Sequence, residues 1–138
     1  MKAWLVNSNK KPENNGSHCF EYMIRQNKVA AYYEAKTQID QIHAQDLVLL
    51  YHKQCGVIAV GFIVKEFTQP DYELGKIEHW ADVNWIWKAT FNDKKNPVNA
   101  IDYKYIGINM LMPTVVNITG QLNHKLLLEE ISKRQIYM

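Results

Sequence analysis

Residues Asp46–Glu66, "DLVLLYHKQCGVIAVGFIVKE", decide how this chain is read, because two apolar runs meet there at a short polar turn. Leu47–His52 is continuously apolar until it ends in Tyr51 and His52, as expected of a strand buried on both sides. The second run puts Ile58, Val60, Phe62 and Val64 at one parity and Ala59 and Gly61 at the other. A strand with that pattern has one bulky face and one small face. Gly61 inside it predicts a bend, a bulge or the close passage of another backbone.

Working outward, "AWLVN" at residues 3–7 is a short buried strand delivering the polar loop "NSNKKPENNGS". Ser17 is a candidate N-cap, and Phe20, Met23 and Ile24 follow at helical spacing, which predicts a helix over 18–26. "KVAAYY" reads as a strand, and Ile39 and Ile42 share one face of a brief helical segment. In "EHWADVNWIWKATF", Val83, Trp85, Trp87, Ala89 and Phe91 alternate with Asn84, Ile86, Lys88 and Thr90, predicting a long strand with an aromatic face. "AIDYKYIG" reads as a helical turn. A last helix is expected after a Thr119 cap, with Leu122, Leu126 and Ile131 facing inward and the pairs Glu129–Lys133 and Glu130–Arg134 on its surface. Five or six strands with short peripheral helices predict an α+β fold, a bent mixed sheet closing toward a pseudo-barrel.

A length of 138 residues fits a single domain spanning 1–138. Hydrophobic residues make up 47% and charged residues 22%, the balance of a folding globular chain, and the net charge of +2 permits a polyanionic partner without requiring one. No run approaches the roughly 20 apolar residues of a membrane span, and the start "MKAWLVNSNKK" turns polar too soon for a secretory signal, so a cytoplasmic protein is expected. The two cysteines, Cys19 and Cys55, have no partner at metal-ligand spacing and read as reduced packing residues, with no cofactor or metal signalled.

The chain carries no G-x-S-x-G elbow, P-loop, H-E-x-x-H or dinucleotide-binding turn, and His18, His43, His52, His79 and His124 are scattered. That lowers the expectation of an enzyme. Aromatic residues are plentiful instead, with four Trp and eight Tyr, and Trp4, Tyr32, Tyr33, Tyr51, Trp80, Trp85 and Trp87 fall where strands meet loops. Such rings either fill a core or stack on a planar base. Lys10, Lys11, Lys53, Lys88, Lys94, Lys95 and Lys104 are either a basic rim for phosphates or an ordinary solvated surface.

The stretch Asp46–Glu73 resembles the EVE family of the PUA-like superfamily, in which a strand ends in Tyr-His and is followed by an apolar strand of the type I-x-G-x-x-x-V and then Pro-Asp. The residues that carry the resemblance are Asp46, Tyr51, His52, Ile58, Val60, Gly61, Val64, Pro70 and Asp71. "AWLVNSN" is similar to the family's first strand, with Asn7, Ser8 and Asn9 at the pocket loop, and Trp80 to Val83 is similar to its later Trp-x-x-Val. Gln45 departs from the family's Gly before Asp, "SNK" departs from its Ser-Glu-Pro, and nothing after Asn99 matches.

The resemblance implies a compact pseudo-barrel that binds DNA or RNA, holding a modified base such as methylated cytosine or methylated adenine flipped into an aromatic pocket. Flipping costs a few kcal/mol of stacking, so the pocket needs aromatic walls and polar groups at the base edge. Ser8 and Asn9 are the candidates for the edge, Trp80 or Trp85 for stacking, and Tyr32, Tyr51 or His52 for the wall. Two alternatives stand beside this: an RNA- or nucleotide-processing enzyme using Asp46, His52 and Lys53, and a protein-interaction module built on exposed aromatics.

Overall fold

The computed structural model describes residues 1–8, 20–53, 55–67, 78–92, 96–109 and 114–135, with backbone alone at 32–36, 78 and 135. The strand Leu47–His52 (β3) is buried along its whole length and pairs antiparallel with Gly56–Lys65 (β4). The turn between them is closed by Cys55 N donating to His52 O at 2.8 Å. Gly56 leaves that turn with φ +129°, and a Cβ placed on it would sit 2.7 Å from Ile101 O, so only glycine fits.

Ala3–Ser8 (β1) lies on the far side of β3 and runs parallel to it, in register from Ala3 opposite Leu47 to Ser8 opposite His52. A parallel pair needs a long crossover. Here it comprises Phe20–Arg25 (α1), Lys28–Tyr32 (β2) and a 3₁₀ segment Tyr33–Gln41, whose Ile39 is fully buried, as is Ile42 just beyond it. Glu78–Lys88 (β5) pairs antiparallel with both β4 and β2, and Val115–Asn117 (β6) pairs antiparallel with β1. The six strands, in the order β2-β5-β4-β3-β1-β6, form one mixed sheet curled into a half-barrel, an α+β fold. No described helix is long and apolar enough to cross a membrane.

Gly61 is where the sheet slips. Val60 lies opposite Trp87 but Gly61 lies opposite Trp85, leaving Ile86 unmatched, and a Cβ on Gly61 would meet Asn84 O at 2.5 Å. The absent side chain lets the β5 backbone press in, as anticipated. A second slip follows between Ile63 and Lys65. The bulky-face reading of β4 needs correction as a result. Ile58 and Val60 are buried, but so are Ala59 and Gly61, and beyond the slip Phe62 and Val64 are exposed while Ile63 is buried. The first half of β4 is covered on both faces and the second half on one.

The alternation expected along β5 and just beyond it is seen: Val83, Trp87 and Ala89 are buried, Trp85 and Phe91 are half-buried, and Asn84, Ile86, Lys88 and Thr90 are exposed. The first helix begins at Phe20, and Ser17 falls outside the described residues. The last helix, His124–Gln135 (α2), is capped by Asn123, whose Oδ1 accepts from Leu126 N at 3.1 Å. Thr119 instead accepts from Ala3 N through Oγ1 at 3.0 Å and so ties β1 to the chain after β6. Leu127, not Leu126, faces inward with Ile131, because residues four apart share one face of a helix whereas Leu126 and Ile131, five apart, do not. Arg134 pairs with Glu130 as expected, whereas Lys133 turns to Glu130 at 2.8 Å.

Candidate functional site

Parallel strands in register end together, and β1 and β3 therefore deliver Ser8 and His52 side by side at one end of the sheet. Ser8 Oγ donates to Tyr51 O at 3.1 Å, and Ser8 and His52 are 3% and 1% exposed. The Phe20 ring of α1 lies 4.4 Å from the His52 ring and stacks on Phe91 at 4.8 Å with 13° between planes. Tyr51, the residue before His52, faces the other side of the sheet, where its ring meets Tyr103 edge-on at 5.8 Å. Ser8 and His52 thus come together with Phe20 and Phe91, and Tyr51 contributes only its backbone carbonyl. Asn9 and the Tyr32 side chain lie outside the described residues.

The two candidate tryptophans lie elsewhere, on opposite faces of β5 because they are five positions apart. Trp80, half-buried opposite Ala30 of β2, meets Phe67 edge-on at 5.3 Å. Phe67 also stacks on His79 at 4.1 Å, and His79 Nδ1 is 2.7 Å from Asp40 Oδ1. Lys28 Nζ sits 5.0 Å from the Trp80 ring centre and 4.5 Å from that of Tyr22. Trp85 occupies the row Trp85, Gly61, Val48, Trp4 across the sheet, about 13 Å along the strands from the Ser8–His52 row. Its Nε1 is buried and has no hydrogen-bond partner among the described residues.

Asp46 stands at the opposite end of β3 from His52, about 20 Å away along the strand. Its carboxylate accepts from Lys2 N at 3.0 Å, Trp4 Nε1 at 2.9 Å and His43 N at 3.0 Å. Burial pushes its pKa up, but these three bonds, aided by the nearby His43, outweigh burial and hold the carboxyl below the usual aspartate range. Asp46 is a junction linking the start of β1, the end of the 3₁₀ crossover and the start of β3. The trio Asp46, His52 and Lys53 does not meet at one reacting atom, since Lys53 is exposed beyond the end of β3 and Asp46 precedes its start.

Of the basic rim, Lys53, Lys88 and Lys104 are exposed, and Lys10, Lys11, Lys94 and Lys95 lie outside the described residues. A cleft of about 140 Å³ between α2 and the sheet is lined by Leu47, Val60, Phe62, Ile86, Leu127 and Ile131 among others, and by none of the residues singled out for base binding. Sequence reasoning assigned Phe20 to a helix core and passed over Lys28, Tyr22 and Phe67. Helical spacing marked Phe20 as inward but said nothing of which strand end it would cover, and no local pattern ties Tyr22 to a strand 58 residues later.

No protein-family model and no curated protein matches the sequence. Solved structures do share the fold. The Mmi1 YTH domain matches with a TM-score of 0.57 at 8% identity, covering 98% of this chain and 99% of that one. The same domain in complex with RNA matches with a TM-score of 0.54 at 7% identity, over 99% and 82% of the two chains. Rpa0253 from Rhodopseudomonas palustris matches with a TM-score of 0.53 at 15% identity, over 99% and 97%. The chain therefore shares the fold of these structures, at identities that establish the fold alone.

Proposed function

We propose that this chain is a nucleic-acid-binding module of the EVE type that acts as one domain and takes a modified base at the end of the sheet where β1 and β3 stop together. The observation that carries the reading is the Ser8–His52 pair, set side by side by the parallel register and flanked by the Phe20 and Phe91 rings. β1 and β3 are parallel and stop at the same row, so the chain leaves the sheet from two adjacent strand ends there. Support also comes from the likeness to a YTH domain solved with RNA. Ser8 and Asn9 supply hydrogen bonds to the base edge, His52 and Phe20 supply the wall, and the exposed Lys53, with Lys88 and Lys104, adds charge for phosphates. Hydrolytic chemistry is the weaker reading, because Asp46 and His52 lie at opposite ends of β3.

The test is fluorescence anisotropy with short single-stranded oligonucleotides that differ by one methyl group on adenine or cytosine. A modified strand is expected to bind at least about 10-fold tighter than the plain one, equivalent to about 1.4 kcal/mol. Ser8→Ala should shrink that ratio while its melting temperature stays within a few degrees. Equal binding of methylated and plain strands ends the modified-base reading.

A further inference from the structure

Cross-strand partners point to the same side of a sheet, and the row Lys65, Asp82, Lys28 crosses β4, β5 and β2 with its side chains on one face. Trp80 and Ala30 occupy the next matched row of β5 and β2 on that face. Lys65 is exposed, and Lys28, Asp82, Trp80 and Tyr22 are half-buried. Arg25, exposed in the last turn of α1, sits three residues beyond Tyr22 and so shares its side of the helix. The one acidic residue in the row, Asp82, lies between two lysines, which leaves the row net positive.

An ammonium over two aromatic faces occupies the place a planar base would take. Lysine carries its charge on a flexible four-carbon stem, so it can leave the ring for a neighbouring phosphate as a base arrives on the ring. The exchange replaces one cation–π contact with a stack and an ion pair. Flat rings beside mobile cations are the recurring composition of surfaces that hold single strands without reading their sequence.

We propose that the Lys28–Trp80–Tyr22 face, together with Lys65 and Arg25, is a second contact surface for single-stranded nucleic acid, separate from the Ser8–His52 end of the sheet. It rests on the nucleic-acid reading above and adds a sequence-tolerant grip on the strand flanking the bound base. The partner is a single strand, because a duplex keeps its base faces stacked inside and offers nothing for Trp80 to hold.

The experiment uses an unmodified single-stranded RNA of about 12 nucleotides and measures its affinity over a range of salt concentrations. The Lys28→Gln/Lys65→Gln double variant is expected to weaken binding about 10-fold at low salt and to flatten the slope of log affinity against log salt by roughly one to one and a half. Trp80→Leu is expected to weaken binding at least about 5-fold. Lys125→Gln on α2 serves as the control and should leave both quantities unchanged. Thermal melts accompany each variant, and the lysine double variant, which alters only side-chain ends, carries the decision if Trp80→Leu unfolds. Parent-like affinity and slope in the double variant overturn the proposal. If the slope flattens while methylated and plain strands bind equally, this surface stands and the modified-base reading falls. If the parent binds no RNA at all, both fall.

Discussion

Three tryptophans of one sheet, Trp4 on β1 and Trp85 and Trp87 on β5, show how the same side chain takes on different tasks. Trp4 is buried and its indole N–H donates to Asp46; Trp87 is buried within the core; Trp85 keeps a buried Nε1 that has no acceptor among the described residues. A buried donor left without an acceptor costs about 1–3 kcal/mol, and a hydrogen bond to a charged group contributes about 1.5–3 kcal/mol. Trp4→Phe removes such a bond and leaves Asp46 short of a donor, so it should destabilise the chain by about 2 kcal/mol. Trp85→Phe loses ring area but also removes an unbonded donor, and its stability should stay within about 1 kcal/mol of the parent. Urea unfolding of the two variants checks both, and a larger loss in Trp85→Phe than in Trp4→Phe would show that the Trp85 N–H is satisfied in solution.

Among the elements, β3 is held at its start by a charge and at its end by its neighbours. The Asp46 carboxylate collects donors from the start of β1 and the end of the crossover, which places the two parallel strands in register. Its pKa is depressed in the folded chain, so the stabilisation is fully present above the ordinary aspartate range near pH 4 and is lost as the pH falls through the folded value. Asp46→Asn should cost about 2–3 kcal/mol at pH 7 and flatten the fall in stability below about pH 4, which melts taken over a series of acidic pH values would reveal. Undiminished acid sensitivity in Asp46→Asn would shift the effect to other carboxylates. The neighbouring β4 shows where pattern reading runs out. Gly61 marked a bulge or close approach correctly, but which residues lie outward beyond it depended on a slip against β5, and no local periodicity encodes the partner's register.

Across the molecule, β1 joins residues far apart in sequence: Leu47–His52 on one side and Val115–Asn117 on the other, with Ala3 N also bonded to Thr119. Neither end of the chain completes the sheet without the other. Unfolding is accordingly expected to be a single transition, with tryptophan fluorescence and far-ultraviolet circular dichroism giving the same midpoint; separated midpoints would mean that the β2–β5 limb opens on its own. The positions and types of most strands, the α+β class and the irregularity at Gly61 were determined by the sequence itself, because burial and the two-residue repeat are written along the chain. Only the tertiary structure decided which residues share a place. The parallel register sets Ser8 beside His52, adjacency in a strand turns Tyr51 away, and the face of β5 that carries Trp80 finds Lys28 and Tyr22 rather than Ser8. Pairing between distant strands is a property of the assembled sheet, and no window of neighbouring residues contains it.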